Sequence, residues 1–150
     1  DDAEYDRLRD AASHEADLRG RCFEASKKAY NEGNGALAHE KSEEAKEHGK
    51  KMEQFNEQAA LYVFRANNAS CQPDELDLHG LHVDEAKLYT EQRVMACKQR
   101  REDHLHIIVG RGNHSVNHIQ KLKPAIEELC QRYGFEYSTE QNEGRIFVKF

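Results

Sequence analysis

The apolar residues of the first seventy positions recur every three or four places, and the pattern lapses once, at Asn31-Glu32-Gly33-Asn34-Gly35. That spacing lays one stripe along a helix. Leu8, Ala11, Leu18, Cys22, Ala25 and Ala29 share a stripe over residues 3–31, broken only by Glu15. Ala38, Ser42, Ala45, Met52, Ala59 and Tyr62 lie near another over residues 36–67. Asparagine and glycine accept positive φ, so the lapse reads as a turn. Two long helices joined by so short a turn should pack antiparallel. Their seam is rich in alanine, which allows close approach but buries little area per residue. Apolar density rises at Phe55, Ala59, Leu61, Tyr62, Val63 and Phe64, and this end is expected to dock against the second half of the chain. Lys27, Lys28, Lys41, Lys46, Lys50 and Lys51 could form a basic face, but interleaved glutamates favour a solvated surface of mixed sign.

At Pro73 the period changes. Leu76 and Leu78 alternate with Asp77 and His79, which predicts a strand over Glu75–His79. A helix is expected over Val83–Arg100, with Val83, Ala86, Thr90, Val94 and Cys97 on one face. Leu105–Val109 is an apolar run of the kind buried in a parallel sheet. A loop and one helical turn come next, over residues 110–123. Pro124 suits the first turn of another helix, which carries Ile126, Leu129, Cys130 and Tyr133 and ends at Gly134. Strands over Phe135–Thr139 and Arg145–Phe150 flank a turn at Gln141-Asn142-Glu143-Gly144. The expected organisation is a helical hairpin over 1–70 and a βαβαββ unit of two layers over 71–150, with Asn67–Pro73 as linker. An intervening helix makes the first two strands parallel, so their carboxyl ends lie together, where open α/β sheets place ligands.

A net charge of −6 argues against polyanion binding over the whole surface but leaves room for a local basic patch. No apolar run approaches the ~20 residues of a membrane span, and no secretory leader is visible. The chain begins at Asp1 rather than Met, as a segment of something longer would. Cys22, Cys71, Cys97 and Cys130 form no C-x-x-C pair, which argues against zinc, and their wide spacing with no visible leader favours reduced cytosolic thiols over disulfides. The sequons at Asn68 and Asn113 then read as chance matches. Nothing in the sequence demands a dimer, so a monomer is expected.

The chemistry-bearing residues gather in the second half. Asp77 and His79 project from one face of a strand, and Gly80 lets the chain turn after them. About thirty residues on, Val109-Gly110-Arg111-Gly112 comes after the second apolar strand. Neighbouring strands would bring an acid, an imidazole and a guanidinium to one edge. The plainer alternative is that Asp77 and His79 cap the turn before Val83. His114 and Ser115 could contact phosphate or steady the loop, and Lys121 and Lys123 could bind a polynucleotide backbone or form a solvated turn. His82 reads as a helix-start residue. His104 and His106 share a strand face, but without a third obvious ligand they read as surface or packing residues, and no metal site is assigned.

The run LDLHG (76–80), then VGRGNHS (109–115) and KLKPAIEEL (121–129), resembles the Smr (small MutS-related) domain across residues 74–150. The first half resembles, more loosely, the DUF1771-like helical domain of unknown function found just before Smr in eukaryotic proteins, through Tyr5, Leu8, Arg9, Ala29-Tyr30, Asn56, Ala59 and Phe64. The resemblance implies a βαβαββ fold like that of the carboxy-terminal domain of bacterial translation initiation factor three. It also implies nucleic-acid endonuclease activity, in several eukaryotic members on RNA or on mRNA at ribosomes. The family's acid and histidine fall on Asp77 and His79, and its second motif on Gly110, Arg111 and Gly112. Val109 stands where the family usually has threonine. The expected chemistry is metal-independent cleavage of single-stranded RNA, with Asp77, His79 and Arg111 catalytic. Gly110, Gly112, Asn113, His114, Ser115, Lys121 and Lys123 would bind the nucleic acid. No cofactor is expected, although one carboxylate beside one imidazole leaves a divalent ion as a rival mechanism and DNA as a rival substrate. The competing readings are an RNA- or ribosome-binding module that does not cut, and a protein-binding adaptor built on the hairpin.

Overall fold

A computed structural model describes residues 2–110, 120–140 and 144–150. The chain divides into two compact units, residues 1–62 and 63–150. Among the described residues no helix is long and apolar enough to cross a membrane.

The first unit holds α1 (Asp2–Asn31) and most of α2 (Gly35–Asn68). The tight link between them is closed by the Asn34 N–H donating to the Ala29 carbonyl at 2.9 Å, with Gly33 at φ +81°. Cross-helix bonds run in antiparallel order. Arg9 Nη1 meets Asn56 Oδ1 at 2.8 Å, His48 Nδ1 meets Glu15 Oε2 at 2.6 Å, and Ser26 Oγ donates to the Ala38 carbonyl at 2.6 Å. Glu15, the one acid on the apolar stripe, therefore faces the seam because His48 lies opposite. Ala12, Ala29, Ala38 and Ala45 are buried, as an alanine seam requires. A Cβ at Gly49 would sit 3.3 Å from Arg19 Nε, so this glycine lets the Arg19 stem lie against α2. Lys41, Lys46 and Lys50 pair with Glu44, Glu43 and Glu47, each three residues away, which is the mixed-sign surface expected of a solvated helix.

The second unit runs β1 (Glu75–Asp77), α3 (Val83–Gln99), β2 (His104–Ile108), α4 (Leu122–Tyr133), β3 (Glu136–Thr139) and β4 (Arg145–Lys149). The sheet order is β1-β2-β4-β3, with β1 and β2 parallel and the other pairings antiparallel. Alternation sorts the side chains into two faces. Leu76, Leu105, Ile107, Ile146 and Val148 are almost fully buried and form the core with Ala86, Val94 and Cys97 of α3 and Ile126, Leu129 and Cys130 of α4. Burial pushes the Cys130 thiol up to about 11, and all four cysteines are free thiols. Tyr133, read as part of the α4 core face, is instead half-exposed and stacks on Phe135 at 5.7 Å. The other sheet face carries Glu75, Asp77, His104, His106, Arg145 and Phe147.

The final turn of α2 belongs to this second unit. Phe64 stacks on Tyr89 of α3, with centroids 4.2 Å apart and planes 5° off parallel. Asn68 lines the edge of β1: its Oδ1 accepts from the Asp77 N–H at 2.8 Å and its Nδ2 donates to the Asp77 carbonyl at 2.9 Å. These two bonds occupy the edge strand's outward backbone groups as a neighbouring strand would. Residues assigned to a linker by composition thus complete the sheet. The helical turn expected within 110–123 lies largely outside the described residues, as does most of the turn at 141–144.

Candidate active site

β1 ends at Asp77, and the Leu78 N–H still donates to the Ile108 carbonyl at 2.8 Å, so the parallel pairing carries one residue further. That bond holds Leu78 in the core and turns Asp77 and His79 to the opposite face. The Asp77 carboxylate does two things with one oxygen. Its Oδ1 accepts the His79 backbone N–H at 3.0 Å and lies 2.6 Å from His79 Nδ1. A carboxylate only accepts, so Nδ1 carries the proton and Nε2 is the nitrogen turned away from Asp77. Asp77 is buried, whereas the His79 side chain is 47% exposed. The bond to Asp77 raises the His79 pKa above the ordinary imidazole value, against the opposing effect of partial burial.

Neither residue caps the next helix. His82 takes the N-cap position of α3, and the Glu85 carboxylate accepts from the His82 N–H at 2.9 Å. The cap is therefore supplied elsewhere, and the Asp77–His79 pair is not needed for it.

Gly110 closes the other side. It sits at φ +78°, and a Cβ on it would lie 3.1 Å from the His79 Cβ. Gly144 backs it in turn, where an added Cβ would meet the Gly110 backbone at 3.1–3.3 Å. The Gly144 carbonyl accepts from the N–H groups of Val109 at 2.7 Å and Gly110 at 3.2 Å. The Gln120 side-chain amide donates to the Gly110 carbonyl and so ties the start of α4 to the same place. Lys121 is the N-cap of α4 and Lys123 lies in its first turn, which contains no acid. A helix N-terminus of that composition favours anions.

The structure thus brings Asp77, His79 and Gly110 together and places Lys121 and Lys123 just beyond Gln120, which bonds Gly110. Arg111, Gly112, Asn113, His114 and Ser115 lie outside the described residues. Sequence reasoning missed three contributors. Asn67, whose Nδ2 donates to the His79 carbonyl at 3.0 Å, and Asn68 carry no signal beyond the composition of a turn. Gly144 looked like an ordinary hairpin glycine, but its contact with Gly110 joins positions distant in sequence.

Two family models match the chain: Domain of unknown function (DUF1771) over residues 5–68 and Smr domain over residues 76–147. The chain is similar to Smr domain-containing protein C11H11.03c of Schizosaccharomyces pombe, at 50% identity over 97% of this chain and 70% of that protein. It is also similar to Endonuclease NBR9 of Saccharomyces cerevisiae, at 43% identity over 98% of this chain and 61% of that protein. The solution structure of the B3BP Smr domain is 38% identical, with a TM-score of 0.49, and the match covers 63% of this chain and 95% of that one.

Proposed function

The chain belongs to the Smr-domain family and carries a DUF1771 region ahead of that domain, and on this premise we propose that it is an endonuclease cutting single-stranded RNA. One observation carries the reading: the 2.6 Å Asp77–His79 pair stands, with its imidazole half-exposed, at the carboxyl ends of two parallel strands. Similarity to a protein named as an endonuclease supports strand cleavage as its use.

The chemistry depends on which nitrogen is held. With Nδ1–H bound to Asp77, Nε2 is left to take the proton of a ribose 2′-hydroxyl. The freed 2′-oxygen attacks the adjacent phosphorus, the P–O5′ bond breaks, and the 5′-oxygen takes a proton from water, whose hydroxide is neutralised by the His79 imidazolium so that the neutral ring is restored. A 2′,3′-cyclic phosphate and a 5′-hydroxyl result. Arg111, next in the chain after Gly110, is assigned to the scissile phosphate, whose growing charge a forked guanidinium stabilises well. Backbone N–H groups of Gly112 and Asn113 and the side chains of His114 and Ser115 are assigned to flanking phosphates, and Gly110, whose own N–H is held by the Gly144 carbonyl, contributes through its close approach to His79. Lys121 and Lys123, at the α4 N-terminus, take the backbone beyond. This transesterification needs no metal ion. The helical hairpin extends the binding surface, and the substrate is cytoplasmic RNA, with ribosome-associated mRNA the foremost candidate.

A second reading is a module that binds RNA without cutting it. It is favoured by the same Asp77 oxygen bonding the His79 backbone, as a purely structural clasp would. Incubation of the chain with a single-stranded RNA, and then mapping of product ends, separates the two. Cyclic phosphates formed in EDTA, lost in His79→Ala and Arg111→Ala, support cleavage as written. Binding without products leaves only the module. Metal-dependent 5′-phosphate ends, or nicking of a fully deoxy strand, would replace the mechanism, because attack by a 2′-hydroxyl requires ribose.

A further inference from the structure

His104 and His106 lie on the same sheet face as Asp77, but four and two residues nearer the opposite end of β2 from Ile108, the register partner of Asp77. At ~3.3 Å per residue, His104 is about 13 Å along the strand from the level of the candidate active site. The two rings stand edge to face, with centroids 5.5 Å apart, and Phe147 of β4 lies beside both.

The third member comes from a residue distant in sequence. The His106 backbone N–H donates to the Asp74 carbonyl at 2.8 Å, which fixes the residue just ahead of β1 beside the two rings. The Asp74 side chain then faces both of them. Its Oδ2 lies 2.9 Å from His104 Nε2 and 3.7 Å from His106 Nε2. One donor atom from each of the three residues falls within 4.8 Å of the others.

The far side of each ring is also held. His104 Nδ1 is 2.9 Å from Asp103 Oδ1, and His106 Nδ1 bonds Glu140 Oε1. Arg145 in turn bonds Glu140 at 3.0 Å and Glu75 at 2.8 Å, so Glu140 is itself oriented. Carboxylates only accept, so both Nδ1 atoms carry protons. With Nδ1 so engaged, Nε2 is the atom each ring presents to the Asp74 oxygen. Three potential ligand atoms, two imidazole nitrogens and a carboxylate oxygen, thus converge on one point. Two donors ~2.1 Å from a tetrahedral zinc stand about 3.4 Å apart, and the 2.9 and 3.7 Å separations bracket that value. Carboxylates behind metal-binding histidines are a recurrent means of fixing the tautomer and strengthening the ligand. Two imidazoles suit zinc or its neighbours rather than magnesium or calcium, which prefer oxygen alone.

We propose that Asp74, His104 and His106 form a site for one divalent transition-metal ion, of which Zn²⁺ is the best fit, with Asp103 and Glu140 orienting the two rings. The site joins the segment before β1 to β2 and, through Glu140, to the end of β3. Its role is to brace the sheet rather than to attack substrate. It stands independently of the RNA-cleavage reading.

The test uses the 150-residue chain, freed of metal and titrated with Zn²⁺, and with Co²⁺ as a spectroscopic substitute. The expected result is one equivalent of Zn²⁺ bound, a higher thermal midpoint, and visible Co²⁺ bands of low-symmetry N/O coordination. His104→Gln and His106→Gln together should abolish uptake, and Glu140→Gln should weaken it ~10–100-fold. His104→Gln alone, at the start of the strand, serves if the double variant fails to fold by circular dichroism, and should weaken uptake at least as much. His79→Ala should bind Zn²⁺ normally. Uptake that survives loss of both histidines, uptake that disappears with His79, or no saturable binding at all would each overturn the assignment.

Discussion

Two Asp–His groups share one sheet face, yet they are wired in opposite ways. At Asp77–His79 one carboxylate holds one ring nitrogen and leaves the other turned away on a half-exposed side chain. Around Asp74 both nitrogens of each ring face a carboxylate. Acid–base work needs a ring nitrogen free to exchange its proton with a substrate. A ring clasped on both sides is positioned but has no such nitrogen. The same two residue types therefore lend themselves to different tasks, and the difference lies in the neighbours that complete each group.

The largest effect expected from breaking this contrast is on cleavage. His79→Ala should lower the rate by ~10²–10⁴, the usual worth of a general acid–base group, while His104→Gln leaves the cyclic-phosphate ends of the product unchanged. Single-turnover kinetics on an end-labelled RNA would measure both. A comparable loss of rate in both variants would erase the functional distinction between the groups.

Ile107→Ala tests what the groups have in common. Ile107 is fully buried between His106 and Ile108, and its truncation should cost about 2–5 kcal/mol. Denaturant unfolding should show the loss. Ala45→Gly, in the buried seam of the hairpin, should cost only ~1 kcal/mol.

Gly144→Ala sharpens the comparison by touching one group alone. The added methyl meets the Gly110 backbone at 3.1–3.3 Å, so Gly110 must give by a few tenths of an ångström and its fit against His79 changes. Cleavage should fall by about tenfold, the penalty of a small misplacement, with Zn²⁺ uptake retained. Equal cleavage rates in the variant and the parent would show that Gly110 does not position the site.

Asp77→Asn should act mainly through pH. The Asp77 hydrogen bond, and after it the carboxylate's charge, raise the His79 pKa, and losing the carboxylate lowers it. In the parent, a limb that requires neutral His79 should appear above the ordinary imidazole range, and in the variant it should move towards lower pH. The stability the pair contributes has the same sign. It is complete below the unfolded-state pKa of ~6.5 and is lost as pH rises through the higher folded value. A pH–rate profile that does not move between the two proteins would separate Asp77 from the titration.

Lys46→Ala should have the smallest effect. Its partner Glu43 is exposed, and such pairs contribute ~0–1 kcal/mol. Thermal unfolding should barely register the change.

Much of this architecture could be read directly from the chain. The 3–4 spacing of Leu8 to Ala29 and the Gly-Asn turn imply two antiparallel helices, because each face is set by residues within one element. Likewise, Leu76 and Leu78 define a core face and thereby commit Asp77 and His79 to the other, two residues apart. Proximity of that kind is built into the period of a strand. The left-handed C-cap at Gly134 and the place of Pro124 in the first turn of α4 were equally local.

Tertiary structure alone supplied the contacts that bring distant positions together. Asn68, composed like a linker residue, serves as the edge partner of β1. Gly144 reaches Gly110, and Asp74 and Glu140 reach His104 and His106 across 30 and 34 residues. The sequence could place a carboxylate beside His79 because a strand repeats every two residues. It could not provide a third ligand for His104 and His106, since that depends on strand register, which is set by the packing of Leu76, Ile107 and Ile146 in a shared core.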